Sequence, residues 1–406
     1  MGVDAPTLAI AMCAGPMTQV LEMFRMIRIF EVLVALLIVF VLAVVIGVML
    51  PSHGHIEREV EVSSPVRQVY DSLNNFRRFP QWSWLRSQDP NVKMSFQGPE
   101  AGTGAKINWS STNARIGDGN LTITSSTQDS KLTMALDNDW TGTNKIYTIE
   151  LHPASNGKTL KINETYDVDY GWNLKSRYAG LYINGDPASS IQTSLNNFSA
   201  MLAGFPNIDY KDQKIDPVDI PAKPVFLVST KAKRSLDEVA AATDTAMAEI
   251  EAAMKKAGLT AAGPRMTITT EWGDEDYTFS VAVPVSAASF TLNGQQATIE
   301  TPVPPPGADE DAEKTYNPGE KDAKGQLVVD NNVRAALWYQ GVALYTEYTG
   351  SPAVLPLVRL GQKAFAETHG YRYQEIGLGR FWDEVVSAPD AAEDQQTYRV
   401  YLPIQR

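Results

Sequence analysis

Cysteine is nearly missing from this chain of 406 residues. The one copy, Cys13, lies before any segment with a readable pattern, so burial rather than disulfides must hold the folded part together. Histidine is scarce too: His53, His55, His152 and His369. Only His53 and His55 are neighbours, and a pair beside an apolar segment falls short of a metal constellation; no metal is expected. No run of Lys or Arg occurs, and 35 basic against 47 acidic residues give a net charge of −12. A nucleic-acid partner needs a positive footprint on which phosphates release their counter-ions, so DNA and RNA are excluded. Nor is there a Gly-x-Ser-x-Gly elbow, a phosphate-binding loop or a dinucleotide glycine fingerprint. The "GLGRFW" stretch at Gly377 lacks the third glycine, and "GDGN" and "DNDW" do not space their acids as a calcium loop does. No catalytic constellation and no cofactor are assigned.

Polar residues are absent from one long stretch. Val32 to Leu50 is 19 uncharged residues, "VLVALLIVFVLAVVIGVML". As a helix it would span roughly 29 Å, about a bilayer core. A buried helix rarely lacks a polar face over five turns, and a small-x-small cleavage site does not follow, so the segment reads as a retained anchor. Residues 1–28 form its cytoplasmic lead-in and residues 29–50 the span. Arg25 and Arg28 precede it and the first basic residue after it is Arg58, which orients the bulk of the chain outward, as a single-pass inner-membrane protein with periplasmic domains.

What remains, 44% hydrophobic and 20% charged over the whole chain, is an ordinary globular composition with length for two domains. The first is read over residues 55–204. "HIEREVEV" alternates as a strand. Ser64 and Pro65 open a helix bearing Val66, Val69, Tyr70 and Leu73. Strand-like runs follow at Leu121–Ser125, Lys131–Leu136, Lys145–Leu151 and Thr159–Tyr166. Asp186-Pro187 then starts a closing helix whose stripe is Ile191, Leu195, Phe198 and Leu202, stopped by Gly204. The proline-bearing, aperiodic residues 205–224 read as an extended linker.

The second domain, residues 225–406, uses one layout twice. "FSVAVPV" at Phe279–Val285 and "YRVYLPI" at Tyr398–Ile404 match position by position, 119 residues apart (Pro403 minus Pro284). Each follows a strand and a helix. The first helix carries a capping box at Ser235 and Glu238 and ends at Gly258; the second runs from Pro352 to His369 and ends at Gly370. The strand before it is read as one run, "WYQGVALYTEYTG". A strand-helix-strand-strand unit used twice predicts packing about a pseudo-two-fold. Between the copies, Thr301–Gly325 reads as a loop or insertion. The overall fold class is α+β.

The first domain resembles the START-like, polyketide cyclase/dehydratase (SRPBCC) superfamily. "VSSPVRQVYDSLNNFRRFPQWSWL", "GTGAKINWSS", "GDGNLTITSSTQDSKLTMAL" and "WNLKSRYAGLYINGDPASSIQTSLNNFSAML" carry the likeness, in that order. It implies a helix-grip fold, an antiparallel sheet around a long closing helix, with a hydrophobic pocket between them. The candidate lining is Tyr70, Trp82, Trp84, Trp109, Trp140, Trp172, Arg177 and Tyr182. The second domain resembles the gyrase-inhibitor-like effector-binding domain of AraC-type regulators, through "GPRMTI", "ALYTEYTGSP", "HGYR" and "RFWDEVVSAPD…TYRVYLPI". That likeness implies a cleft for small, often cationic molecules. The family's acidic residue falls on Asp383 or Glu384, with Trp338, Tyr345, Glu347 and Trp382 as further candidates. The expectation is a membrane-anchored binding protein for a hydrophobic or amphipathic small molecule. The alternatives are a cyclase or hydrolase using Asp383 or Glu384 as acid/base, and a non-catalytic envelope protein.

Overall fold

The structure, a computed structural model, describes residues 15–154, 158–306, 315–373, 381–388 and 391–405. Residues 377–380 of the "GLGRFW" stretch and part of the loop at Thr301–Gly325 lie outside them. The chain is a mixed α+β protein with an apolar N-terminal helix and two large antiparallel sheets. That helix, α1 (Gly15–Met49), contains the one segment among the described residues long and apolar enough to cross a membrane, Met23–Met49, with mean hydropathy 3.4.

The first module runs β1 (His53–Val62), α2 (Val66–Asn74), α3 (Phe79–Trp82), α4 (Trp84–Gln88), β2 (Lys93–Gln97), β3 (Lys106–Ser110), β4 (Asp118–Thr127), β5 (Lys131–Asn138), β6 (Thr143–Pro153), β7 (Leu160–Asp169), α5 (Leu174–Gly180) and α6 (Asp186–Ala203). Its sheet has the order β1-β7-β6-β5-β4-β3-β2. Period-two alternation puts Ile107, Leu121, Met134, Ile149 and Ile162 on one face, and α6 lays Ile191, Leu195, Phe198 and Leu202 into the same core. Pro65 rather than Ser64 stands at the start of α2, which has no side-chain cap.

The second module contains β8 (Asp216–Ile220), β9 (Lys223–Lys233), α7 (Leu236–Ala257), β10 (Met266–Trp272), β11 (Asp276–Pro284), β12 (Ser289–Leu292), β13 (Gln295–Thr298), β14 (Leu327–Val328), β15 (Arg334–Trp338), β16 (Gly341–Thr349), α8 (Leu355–Thr368), β17 (Trp382–Val385) and β18 (Thr397–Ile404). Nine strands form one sheet, β14-β15-β9-β11-β10-β17-β18-β16-β8. The inner six are ordered symmetrically about the β10–β17 pair. Both helices lie on one face: Phe226 and Val283 pack with α7, while Val400 packs with Val358 of α8.

Three segments depart from the sequence reading. The expected linker supplies β8, an edge strand paired with β16, where the missing N–H of Pro217 is harmless. The single strand expected over "WYQGVALYTEYTG" is two: β15, ending at Trp338, pairs with β9, and β16 pairs with β18. A further hairpin, β12–β13, turns on Asn293 and Gly294, both at positive φ (49° and 79°).

The modules touch through α2 and α8. The Asn75 side-chain amide donates to Thr368 O (3.0 Å), and the Tyr210 hydroxyl donates to Asp71 Oδ2 (2.7 Å) beside Thr368 Oγ1 (2.9 Å). Arg78 pairs with Glu367. Burial pushes the Asp71 carboxyl up to about 6 against the opposing Tyr210 hydrogen bond. Burial also pulls His369 down to about 4, with its ring stacked on Phe365 at 3.8 Å.

Candidate functional site

Between the first sheet, α5 and α6 lies a pocket of about 590 Å³ walled by Trp84, Trp140, Tyr166, Tyr170, Ala179 and Ile183, with Tyr182 on its rim. Trp84 and Trp140, stacked at 5.7 Å, also wall a smaller inner chamber of about 40 Å³. Trp82, Trp109, Tyr147 and Glu164 line that chamber with Ile191 and Ser194 of α6. Sequence explains the placement. Trp82 and Trp84 flank the short break between α3 and α4, where Ser194 Oγ accepts the Trp84 N–H (3.0 Å). Trp109 lies over Gly119 of the neighbouring strand, where a Cβ would come within 2.5 Å of its ring.

Five of the eight aromatic or basic residues expected around this pocket therefore gather there: Trp82, Trp84, Trp109, Trp140 and Tyr182. The other three are placed elsewhere. Tyr70 points to the sheet's far end, its hydroxyl 2.6 Å from Ser126 Oγ. Trp172 is 82% exposed, with Arg177 over its ring at 5.1 Å. Arg177 is buried, but its guanidinium donates to Val48 O (2.7 Å) and Leu50 O (3.2 Å) at the end of α1 and to Gly171 O (2.7 Å). The carbonyls at a helix C-terminus lack intrahelical donors, and a cation there satisfies both their hydrogen bonds and the dipole. Tyr178 adds a bond to Ala43 O (2.6 Å), and Gly47 of α1 permits the approach, since a Cβ there would be 3.1 Å from the Tyr178 ring.

Glu164 was not foreseen. It stands on β7 between Ile162 and Tyr166, in phase with the buried face, and is 8% exposed. No hydrogen-bond or ion-pair partner reaches its carboxyl among the described residues. Burial, with no compensating charge, pushes it up to about 8. The Tyr147 hydroxyl is raised by burial first and by Glu164 second.

In the second module the register of β17 separates Asp383 from Glu384. Glu384 opposes Met266 and shares the helix-free face with Trp382; Asp383 opposes Thr267 and turns toward the helices. There Arg359 of α8 holds it in a buried ion pair, Arg359 Nε lying 3.4 Å from Asp383 Oδ1. Burial pushes the Asp383 carboxyl up and Arg359 pulls it back. Asp383 is thus withdrawn from the face that carries Trp382 and Glu384. On the other face Glu384 accepts from the Tyr401 hydroxyl and from Lys223 Nζ, each at 3.3 Å. Trp382 stacks on Tyr401 at 4.8 Å and meets Trp338 edge-on at 5.7 Å, while Tyr345 packs on Tyr401 and donates to Glu347 Oε2 (3.0 Å). Trp338, Tyr345, Glu347, Trp382 and Glu384 therefore share one face, but Trp338 and Trp382 are buried among their own neighbours. A third cavity, about 570 Å³, lies between the modules beside Arg77, Lys106 and Arg372.

No protein-family model matches the chain, and no curated protein does. Among solved structures, norcoclaurine synthase from Thalictrum flavum, in complex with dopamine and hydroxybenzaldehyde, is similar over 39% of this chain and 90% of that one, at 13% identity and TM-score 0.30. A hydrolase from Listeria innocua is similar over 49% of this chain and 100% of its own, at 13% identity and TM-score 0.30. A protein from Nitrosospira multiformis is similar over 37% and 97%, at 18% identity and TM-score 0.28. At these values the likenesses carry no argument about ligand or activity.

Proposed function

We propose that this chain is a membrane-tethered binding protein whose first, START-like module takes up a hydrophobic or amphipathic small molecule. The observation that carries the reading is the aromatic pocket of about 590 Å³, within the range of roughly 300–1,000 Å³ usual for small-molecule sites. Its rim element α5 is bonded to the last turn of the apolar helix through Arg177 and Tyr178. With α1 across a bilayer, Trp172, Leu181 and Tyr182, which are 82%, 58% and 77% exposed, would lie near its surface, where amphipathic aromatics are favoured. Arg25 and Arg28 before the span favour an inner-membrane helix with both modules on the outer side. The mirrored strand order of the second module supports a duplicated, effector-binding-like unit, with Glu384 rather than Asp383 as its cleft carboxyl.

The test is a titration of the full chain in nanodiscs with a fluorescent apolar naphthylamine dye. Saturable one-to-one binding is expected, abolished by Ala179→Trp, which fills the pocket, with an unchanged melting curve. A dye that ignores Ala179→Trp would refute the site.

A further inference from the structure

Glu164 is a buried acid on an apolar wall, and the residues around it leave it alone. Its cross-strand neighbours are Ile149 on β6 and Arg58 on β1. Arg58 is the one cation at a facing register position, yet its guanidinium donates to Glu57 O (2.7 Å) at the surface. Lys145, inward-facing on β6, is committed to Asn138 O (2.6 Å) and Oδ1 (3.0 Å). The other ionisable group on the chamber wall is the Tyr147 hydroxyl, and α6 contributes Ser194, whose hydroxyl donates to Ser190 O (3.0 Å). Among the described residues nothing would neutralise Glu164 once it ionises, so a counter-ion for its carboxylate would have to enter the chamber with a ligand.

Size and wall chemistry narrow that something. A space of about 40 Å³ admits a group the size of one or two waters and excludes a trimethylammonium or a ring. An ionised carboxylate only accepts hydrogen bonds, and an ammonium only donates them. The chamber wall is aromatic, with Trp82, Trp84, Trp109, Trp140 and Tyr147 around it, a setting that favours a cation. Trp84 and Trp140 wall both spaces, so a ligand with its head in the chamber would reach Tyr170 and Ile183 of the outer pocket by passing these two rings.

We propose that the inner chamber binds the ammonium head of an aliphatic primary amine, with Glu164 as its counter-ion, Trp84 and Trp140 beside it, and the tail in the outer pocket. This rests on the reading that the pocket takes an amphiphile. Without ligand the carboxyl keeps its proton at neutral pH, so capture of an ammonium releases that proton to solvent, and affinity for the amine rises from about pH 6 to about pH 8.

The experiment compares octylamine, octanol and octanoate, matched in chain length, by calorimetry on the full chain in nanodiscs, in two buffers of different ionisation enthalpy. Octylamine should bind about tenfold or more tightly than octanol, with buffer-dependent heat that reports proton release, and octanoate should bind most weakly. Glu164→Gln should erase both the amine preference and the proton release while leaving octanol binding in place. Octanol binding as well as octylamine, or a preference that survives Glu164→Gln, would overturn the ammonium assignment and leave the pocket standing. Failure of all three to bind would overturn the pocket reading as well.

Discussion

Replacing Glu164 by Gln keeps the side chain's shape and removes its charge, so stability should come to depend less on pH. The ordinary carboxyl value of 4.5 holds in the unfolded chain, whereas the folded state holds Glu164 at about 8. Between those values the folded protein carries a proton that the unfolded chain has lost. A group raised in this way stabilises least at high pH. Its contribution falls by about 1.4 kcal/mol per unit as pH rises from about 4.5 to about 8, then levels. Relative to wild type, Glu164→Gln should therefore be near neutral at about pH 5 and about 4 kcal/mol more stable at about pH 8, an upper bound for a burial-driven shift. For a module of this size that corresponds to a midpoint rise of about 10 °C at the alkaline end. Melting curves of both full-length proteins at several pH values give the difference, in which other titrating groups, Asp71 among them, cancel. A pH-independent difference would mean that Glu164 is ionised and solvated, and the reasoning about the chamber would fail with it.

The same approach yields three further expectations. Asp383→Asn should destabilise the second module by about 3–5 kcal/mol, because it strands the Arg359 guanidinium, and Asp383→Leu with Arg359→Met should recover much of that; denaturant unfolding checks both. His369 is held neutral at about 4, so its contribution to stability is lost as pH falls from about 6.5, and His369→Gln should flatten the acid limb of the stability curve. Arg177→Met should cost about 2 kcal/mol and raise the rate of proteolysis near Leu50, because the last carbonyls of α1 lose their donor; an unchanged cleavage rate would show that the cap does not hold the helix.

Local chemistry made much of the fold legible. The apolar run of α1, the Ser235 capping box, the Gly258 stop at φ 66° and the stripe of α6 are short-range signals, and each has its element. What escaped depends on partners distant in sequence. Pro217 lies in a strand only because β16 offers it an edge, and nothing between residues 205 and 224 announces that edge. Arg177 looks like a pocket cation on its own helix, yet two of its three acceptors, Leu50 O and Val48 O at the end of α1, are 127 and 129 residues away. The β12–β13 hairpin is the opposite case: Asn293-Gly294 is a strong two-residue turn signal and was readable from sequence.

The acidic residues show where periodicity carries more information than residue type. In "LKINETYDVD" the positions in phase with Leu160, Ile162, Tyr166 and Val168 include one acid, so alternation alone assigns Glu164 to the buried face. A carboxyl in that phase is out of keeping with a closed core unless something partners it, whereas a tryptophan there is ordinary. The adjacent pair Asp383 and Glu384 defeats the same reasoning. Both have apolar neighbours, and β17 is only four residues long, too short for alternation to choose a face. Pairing with Met266 and Thr267 of β10 makes the choice, and α8 then supplies Arg359 to the side where Asp383 lands. One acid is thereby matched within the protein, and Glu164 is left to be matched from outside it.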